Sequence, residues 1–292
     1  MSIATERKVN PYFIDEPAVI SFSGGRTSAY MLYKVLEAHQ GSLPKNVKVI
    51  FANTGKEMPE TLDFVKACSD HWGVEIIWLE LSGMQREKKP DKRAVITTEY
   101  SVVNHQTASR NGEPFKILLD AIPAMPNVVG RYCTAELKIR PMTKYLTDLG
   151  FELPVLTLVG IRYDEQYRAS KINGTISHGQ EKYLPLWIDE VDVRVISDFW
   201  NSNNFDLGLQ GHNGDTAWSN CDLCFMKSKS RRLSIMKERP DLSAWWINAE
   251  KLKGSQFRRE EPSYEQMQII ATDQGQLFDF GDDPSIPCFC GD

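Results

Sequence analysis

Short apolar runs alternate along the chain with segments whose apolar residues recur at helical spacing. The apolar runs predict buried β-strands at Val19–Phe22, Val47–Ala52, Val74–Leu81 and Val155–Ile161. Helical spacing follows the first run between Met31 and Leu36, and it follows the second run from about Pro59 to Trp72. Strands that alternate with helices of this length favour a parallel sheet whose ligands bind beyond the carboxyl ends of the strands. We therefore predict an α/β fold with a doubly wound, mostly parallel sheet.

The character of the chain changes after about residue 190. Residues 1–190 carry the alternating pattern and are predicted to form the α/β domain, whereas residues 191–292 are predicted to form a helical, cysteine-containing segment packed on it. Within the first part, the polar and basic segment from Ser82 to about Gly112 is interpreted as a long loop. A helix is predicted from Cys133, with a break near Pro141.

Composition and charge narrow the function classes. With 41% hydrophobic and 25% charged residues, the 292-residue chain resembles an ordinary globular protein. Its net charge of -5 gives no global attraction to polyanions, so nucleic-acid binding would depend on the local basic clusters Arg86–Arg93 and Lys227–Leu233. No stretch approaches the ~20 apolar residues of a membrane span, and no secretory apolar region is present near the N-terminus. These features predict a cytoplasmic protein without membrane association.

The turn after the first predicted strand reads SGGRTSAY, from Ser23 to Tyr30. It lacks the lysine of a GxxxxGK(S/T) loop and the spacing of GxGxxG. Two glycines let the main chain approach an anion, and the neighbouring hydroxyl groups and helix N-terminus supply donors. The sequence therefore predicts a cradle for a pyrophosphate group. The alternative interpretation is a tight turn in which Gly24 and Gly25 serve only the backbone conformation.

Several motifs, taken in order, resemble one family. SGGxxS is followed by FANTGKEMPETLDFV from Phe51, RYCTAELKIRPM from Arg131, VGIRYDEQYR from Val159 and NCDLCFMKS from Asn220. This series resembles the PP-loop superfamily, and more narrowly its 3′-phosphoadenosine 5′-phosphosulfate (PAPS) reductase-like branch, whose members bind adenine nucleotides. The resemblance implies that residues 1–190 form an adenine-nucleotide-binding domain.

The resemblance also implies roles for individual positions. Arg131, Lys138 and Arg162 would supply positive charge near the phosphates or sulfate, with Lys138 and Arg162 taking part in catalysis. The alternative for each is a surface charge or a salt bridge to Asp164 or Glu165. The residues that the resemblance assigns to nucleotide binding are Ser23, Gly24, Gly25, Arg26, Thr27, Ser28, Asn53, Thr54, Gly55, Arg131 and Gly160.

The cysteines suggest a metal centre. Cys68 is interpreted as a core residue, because it lies within a predicted helix. The CxxC pair Cys221 and Cys224 supplies half of a tetrahedral site, which Cys133 and one of Cys288 or Cys290 could complete. Four thiolates suit both an iron–sulfur cluster and structural zinc, and the resemblance favours [4Fe-4S]. We assign Cys288, from the C-terminal PCFCGD stretch, as the fourth ligand. Two other interpretations are a cluster with three protein ligands and an open iron, and free thiols without metal.

Two kinds of reaction are open to such an enzyme. In the reductive version, Cys290 or Cys288 attacks the sulfur of an adenylyl sulfate or of PAPS, and a thioredoxin-like dithiol supplies electrons. In the adenylating version, a substrate oxygen attacks the α-phosphate of Mg-ATP, and a sulfur donor then displaces AMP from a nucleoside or nucleic acid. Cys290 lacks the glutamate and histidine that flank the family's reductive thiol, and Cys133 is followed by Thr134 rather than by a second cysteine. A nucleotide sensor without turnover is the third hypothesis, and formation of a homodimer is left open.

Overall fold

The computed structural model describes residues 10–88, 94–209, 216, 218 and 221–273. Within these residues one seven-stranded sheet has the strand order β4-β3-β2-β1-β5-β7-β6. The strands are β1 (Ala18–Phe22), β2 (Val47–Ala52), β3 (Ile76–Lys88), β4 (Ala94–Val103), β5 (Val155–Val159), β6 (Ile176–Ser177) and β7 (Gln180–Tyr183).

The centre of the sheet is parallel. Strand β1 pairs in parallel with both β2 and β5, with Ala18 opposite Val47 on one side and opposite Leu156 on the other. The β2–β3 and β5–β7 pairs are also parallel, whereas β4 and β6 are antiparallel edge strands. The predicted α/β fold with a mostly parallel sheet is confirmed. Since the chain order reverses between β2 and β5, the carboxyl end of β1 is the switch point at which such sheets bind ligands.

The helices of the described residues flank the sheet and form the C-terminal part. They are α1 (Arg26–Ala38), α2 (Pro59–Trp72), α3 (Glu113–Ala121), α4 (Tyr132–Thr134), α5 (Arg140–Asp148), α6 (Gln166–Ile172), α7 (Pro185–Ile188), α8 (Val193–Ser202), α9 (Lys229–Glu238), α10 (Ser243–Lys253) and α11 (Tyr264–Asp273). A π-helical turn, Ala135–Ile139, joins α4 to α5. Among the described residues, none of these helices combines the length and apolar character that crossing a bilayer requires.

Apolar side chains cover both faces of the sheet. On one face, Ile20 and Phe22 of β1 pack in the same core as α1, α2 and Trp200 of α8. On the other face, Val19 of β1 packs with Met142 of α5. This alternation along β1 is what a strand buried on both sides requires. Helix α8, which follows residue 190, thus belongs to the core of the sheet.

The segment interpreted as a long loop is largely a β-ribbon. Strand β3 continues to Lys88 and pairs antiparallel with β4 over most of its length. The prediction of a loop from Ser82 to Gly112 was therefore wrong for residues 82–88 and 94–103. The run of β-branched residues from Val95 to Thr98 favours a strand, and the neighbouring charged residues obscured it because an edge ribbon keeps its polar side chains in solvent.

The predicted helix break at Pro141 is also absent. The chain remains helical from Tyr132 to Asp148, with the π turn immediately before the proline. Pro141 has no N–H to donate to the carbonyl of Leu137, and a local widening of the helix accommodates that missing bond.

A second core holds the C-terminal helices against the sheet. Trp246 of α10 and Tyr264 of α11 are almost fully buried with Phe115 of α3 and Leu223. The side chain of Trp246 stacks on Tyr264 at a centroid distance of 5.4 Å. This core positions the CxxC segment beside the carboxyl edge of the sheet.

Candidate functional site

The glycine loop, Ser23–Ser28, turns directly from β1 into α1. Gly24 has a φ of +81°, and a Cβ at this position would lie 2.6 Å from Thr61 Cγ2, so glycine is required both for conformation and for space. Ser23 N–H donates to Ser28 Oγ at 3.1 Å, and Ser28 Oγ donates to the Gly25 carbonyl at 3.0 Å. No side chain caps the N-terminus of α1, which leaves first-turn N–H groups available to an anion.

The structure places the two arginines of this region differently. The guanidinium of Arg26 is bound by residues beyond α8: its Nε donates to Asp206 Oδ1 at 2.6 Å and its Nη1 to Thr216 Oγ1 at 2.7 Å. Arg162, which follows β5 and the buried Gly160, lies beside the loop, with Nη1 3.4 Å from Thr27 Oγ1. Arg162 also forms a salt bridge to Asp164. Arg162 therefore lies near the glycine loop, where the resemblance would have it contact phosphate, and it also forms the salt bridge of the alternative interpretation.

The turn after β2 is built by its own side chains. Asn53 is fully buried, and its Nδ2 donates to Glu80 Oε1 at 2.6 Å while its Oδ1 accepts the Gly55 N–H at 3.1 Å. Thr54 N–H and Oγ1 both donate to the buried carboxylate of Glu57. The side chains of Asn53 and Thr54 are therefore used to shape the turn. A ligand bound at these two residues would contact their main-chain atoms.

This turn is joined to the CxxC segment by three contacts. Glu57 forms an isolated antiparallel bridge with Cys221, and Thr54 Oγ1 lies 3.4 Å from Cys221 Sγ. Lys56 Nζ makes an ion pair with Asp222 Oδ2 at 2.8 Å, with both side chains buried. The contacts hold the first cysteine of the pair against the carboxyl end of β2.

Three cysteines line one cavity, which we call the thiol cavity. Its lining includes Thr54, Arg131, Cys133, Lys138, Cys221 and Cys224. The structure thus brings the cysteine before the π turn and the CxxC pair to the lining of one cavity. Cys68 lies elsewhere, fully buried in the first core, as predicted.

The surroundings of Cys133 and Cys221 in the thiol cavity suppress the ionisation of these two thiols. Burial and, to a smaller extent, the nearby Cys224 raise the pKa of Cys133 to about 12, and Lys138 acts in the opposite direction. Burial also raises the pKa of Cys221, with Glu57 and Cys224 adding to the effect. Cys133 and Cys221 are therefore held protonated at neutral pH unless a cation or metal compensates for the lost hydration.

The chemistry of this donor set suits a soft metal centre, because three thiols share one cavity. Within residues 10–88, 94–209 and 221–273, however, no three His, Cys, Asp or Glu side chains are grouped closely enough to hold a metal ion. Cys288, the predicted fourth ligand, and Cys290, the predicted reductive thiol, lie outside the described residues.

A second cavity, of about 160 Å³, lies at the carboxyl edge of β1 and β5, and we call it the sheet-edge cavity. Ser23 of the glycine loop lines it, together with Lys138 and Thr134 from the helix opposite. Lys138 and Thr134 also line the thiol cavity. The π turn, a feature frequent at functional sites, thus presents one lysine to both cavities.

Sequence reasoning missed residues at both cavities. Lys56 and Glu57 hold the cysteine pair in place, and Lys182 of β7 lines the sheet-edge cavity. The GKE stretch after β2 is part of a motif recognised in the sequence, but nothing in the sequence indicated that it contacts the CxxC segment. Lys182 lies in no motif, and only the parallel pairing of β7 with β5 brings it to the site.

The basic cluster at Lys227–Leu233 is partly internal. Lys227 Nζ donates to the carbonyl of Cys221 at 3.0 Å, and Arg232 is almost fully buried in an ion pair with Glu261. Two cations of this cluster therefore support the fold. The other predicted basic cluster, Arg86–Arg93, lies mostly outside the described residues.

Comparison with known proteins gives relatives in a phage and in an archaeon. The uncharacterized nin region protein ORF290 of Escherichia phage lambda is 29% identical over 249 residues, which are 84% of this chain and 78% of that protein. The uncharacterized protein MJ0066 of Methanocaldococcus jannaschii is 30% identical over 161 residues, which are 54% of this chain and only 25% of that longer protein.

One solved structure and one family model complete the comparison. The U34-tRNA thiolase NcsA from Methanococcus maripaludis with its [4Fe-4S] cluster aligns with 99% of this chain and 85% of its own, at 14% identity and a TM-score of 0.39. The model of the phosphoadenosine phosphosulfate reductase domain matches residues 17–182, which contain β1 to β7 up to Lys182, the glycine loop and Cys133. This match confirms the resemblance found in the sequence motifs: the chain belongs to the phosphoadenosine phosphosulfate reductase domain family.

Proposed function

We propose that this chain is an enzyme of sulfur chemistry that binds an adenine nucleotide in the sheet-edge cavity. The observation that carries the proposal is the position of Lys138, which lines both this cavity and the thiol cavity. A phosphate or sulfate bound near Ser23 would therefore lie close to Lys138, and the cysteines of the thiol cavity would lie on the other side of that lysine. Lys138 supplies a point charge that stabilises an anion as it forms there.

In the first candidate reaction, the nucleotide is an adenylyl sulfate or PAPS, and the enzyme reduces it. Arg162 lies beside Thr27 of the glycine loop, so that together with Lys138 it would neutralise the departing phosphate. The attacking thiol is proposed to be Cys290, and a thioredoxin-like dithiol would supply the electrons.

The second candidate is adenylation followed by sulfur transfer. It is favoured by the N-terminus of α1, which carries no side-chain cap and follows an intact SGGxxS loop. Such an end accepts a pyrophosphate group. Mg-ATP would then lose pyrophosphate into the glycine loop, and a sulfur donor would displace AMP from an adenylated nucleoside or nucleic acid.

The thiol cavity is proposed to hold the metal centre. Cys133, Cys221 and Cys224 would be ligands of a [4Fe-4S] cluster, or of Zn²⁺ in the alternative, with Cys288 as a fourth ligand. A bound cluster supplies electron transfer or an iron atom at which a sulfur species can bind. The chain's own contribution is to exclude water from the thiols and to hold Cys221 in place through Thr54 and Glu57.

The deciding experiment is anaerobic purification followed by incubation with ATP, an adenylyl sulfate or PAPS. Sulfite release supports the reductive reaction, and pyrophosphate release, tested with and without RNA or DNA, supports adenylation. Tight nucleotide binding without either product would identify a sensor and contradict the proposed enzyme. Iron and zinc content, together with the visible spectrum, identify the metal.

Cysteine variants give the matched control. Cys133→Ser is expected to lower the metal content and to abolish product formation, because it removes a proposed ligand from the thiol cavity. Cys68 lies in the first core, and the variant Cys68→Ser should leave the metal content unchanged. Equal metal content in wild-type protein and Cys133→Ser would refute the proposed ligand set.

A further inference from the structure

The sheet-edge cavity extends from the glycine loop to the β6–β7 hairpin. At the hairpin end it is lined by Thr175, Ser177, Gln180 and Lys182, and at the loop end by Ser23 and Lys138. One lysine therefore lies at each end, contributed by different parts of the chain. The family motifs from which the nucleotide site was predicted do not include Lys182, Thr175 or Ser177 of the hairpin region.

The lining of this cavity is electrostatically one-sided. Among the described residues that line it there are two lysines and several hydroxyl groups, but no aspartate or glutamate. Burial lowers the pKa of Lys182 to about 8, and no carboxylate in the described part of the chain offsets that effect. Burial, Arg140 and Lys182 together lower the pKa of the adjacent His178. The hairpin end of the cavity is thus a region of positive potential.

The amine of Lys182 is held in place by a short chain of polar contacts. Lys182 Nζ donates to Gln180 Oε1, and Gln180 Nε2 donates to Thr143 Oγ1 at 3.1 Å. Thr143 Oγ1 in turn donates to the His178 carbonyl at 3.0 Å. Every acceptor in this chain is neutral, so the ammonium group is oriented without being neutralised.

Lys182 is half-buried, and an ammonium group that loses hydration without an anionic partner among the described residues is costly to the fold. Natural proteins keep such groups where a ligand of opposite charge binds, because the ligand then supplies the missing partner. Phosphate is an anion that matches this cavity, since the ammonium group of Lys182 and the hydroxyl group of Ser177 can both donate to its oxygens.

We propose that Lys182 is a specificity-determining residue that binds a phosphate of the nucleotide remote from the one held by Ser23–Ser28. This inference rests on the proposed binding of an adenine nucleotide in the sheet-edge cavity. Two groups carry the required chemistry, a phosphate on the ribose 3′-oxygen and the terminal phosphates of ATP. A nucleotide with a single 5′-phosphate places its charge at one end of the cavity only.

The test measures the dissociation constants of AMP, ATP and adenosine 3′,5′-bisphosphate by calorimetry. Wild-type protein is compared with Lys182→Met, with Lys182→Arg, and with Lys171→Met as a control on the surface of α6. Lys182→Met is expected to weaken binding of one of the two multiply charged nucleotides at least tenfold while changing AMP binding less than twofold. Lys182→Arg should retain most of that affinity, and Lys171→Met should bind all three nucleotides as the wild type does.

The three nucleotides also distinguish the source of the phosphate. Loss confined to adenosine 3′,5′-bisphosphate identifies the 3′-phosphate, and loss confined to ATP identifies the terminal phosphates; either result supports the inference. Equal loss for all three nucleotides, or no loss, overturns it while leaving nucleotide binding established. Wild-type protein that binds none of the nucleotides overturns the inference together with the proposed function.

A thermal readout separates this role from a structural one. If Lys182 serves a ligand, Lys182→Met should melt at a higher temperature than wild-type protein without nucleotide and should gain less from the selected nucleotide. If the lysine mainly stabilises the hairpin, the variant melts at a lower temperature, and that result also contradicts the inference.

Discussion

Lys56 and Asp222 form a buried ion pair, with Nζ 2.8 Å from Oδ2, that joins the turn after β2 to the CxxC segment. Asp222 Oδ1 also accepts the indole N–H of Trp246 at 2.6 Å, and the Asp222 N–H donates to the Lys56 carbonyl at 2.7 Å. One carboxylate thus connects the carboxyl edge of the sheet, the cysteine pair and the second core. Because Cys221 precedes Asp222, the position of the thiol depends on this pair.

Removing Lys56 should therefore cost more than removing a surface lysine. Lys56→Met leaves the carboxylate of Asp222 buried without its cation, and we expect the free energy of unfolding to fall by about 3–5 kcal/mol. Lys66→Met is the matched control, since Lys66 pairs with Asp70 in solvent and should change stability by less than about 1 kcal/mol. Urea denaturation measures both. Adding Asp222→Asn to Lys56→Met should recover part of the loss, and equal losses in the two lysine variants would contradict the importance of the buried pair.

The glycine loop can be tested with two glycines of similar backbone conformation. Gly24 and Gly41 have φ values of +81° and +85°, but a Cβ at Gly41 would meet nothing within 4 Å, whereas at Gly24 it would meet Thr61. Gly41→Ala should cost about 1 kcal/mol for the backbone alone, and Gly24→Ala about 2–4 kcal/mol because the collision adds to it. Only Gly24→Ala should weaken ATP binding in calorimetry. Similar losses of stability and affinity in both variants would show that contact with Thr61 does not restrict the loop.

Arg26 is expected to act on the fold rather than on the nucleotide. Its guanidinium contacts Asp206, the Leu209 carbonyl and Thr216, so that Arg26→Lys should lower the free energy of unfolding by about 1–2 kcal/mol. Asp206→Asn should produce a similar loss. Neither variant should change the dissociation constant for ATP more than about twofold, and a tenfold weakening in Arg26→Lys alone would restore the nucleotide-binding role that the motif implies.

The same ion pair has a defined pH dependence. Burial raises the pKa of Asp206, but the hydrogen bond and charge of Arg26 outweigh burial and leave that pKa below its ordinary value. The stabilisation is therefore complete above the unfolded pKa, about 4, and is lost as the pH falls through the folded pKa. Denaturation curves of wild-type protein and Asp206→Asn should converge below about pH 4, and a constant difference down to pH 2 would argue against this linkage.

Lys182 predicts a second rise of stability with pH, in the alkaline range. Its pKa of about 8 in the folded protein lies below the unfolded value of about 10.4, so the unfolded chain binds more protons between these two values. The stability of wild-type protein should therefore rise with pH across this window. Lys182→Met should be more stable than wild type by about 1–3 kcal/mol below pH 8, and the difference should vanish near pH 10–11. Urea titrations at pH 7 and pH 10.5 measure the effect, and a pH-independent difference would contradict it.

The sequence by itself determined the strand–loop–helix order and the nature of the glycine loop. These features are local: apolar residues at a spacing of two or 3.6 residues specify strand or helix, and two glycines before a helix specify a close main-chain approach. Strand β2 and helix α2 were predicted with the bounds that the structure shows. The extension of β3 beyond Leu81 and the whole of β4 were missed because a solvent-exposed strand lacks the apolar run that marks a buried one.

Only the tertiary structure decided which distant residues meet. The order β2-β1-β5-β7 brings Lys182 to the cavity that Ser23 opens, and the packing of Trp246 and Tyr264 brings Cys221 and Cys224 to Cys133. No local pattern encodes these contacts, because they depend on how apolar faces from remote segments are buried together. The buried ion pair of Lys56 and Asp222 is another such contact. The sequence shows both charges, but only the packing of the two cores buries them against one another.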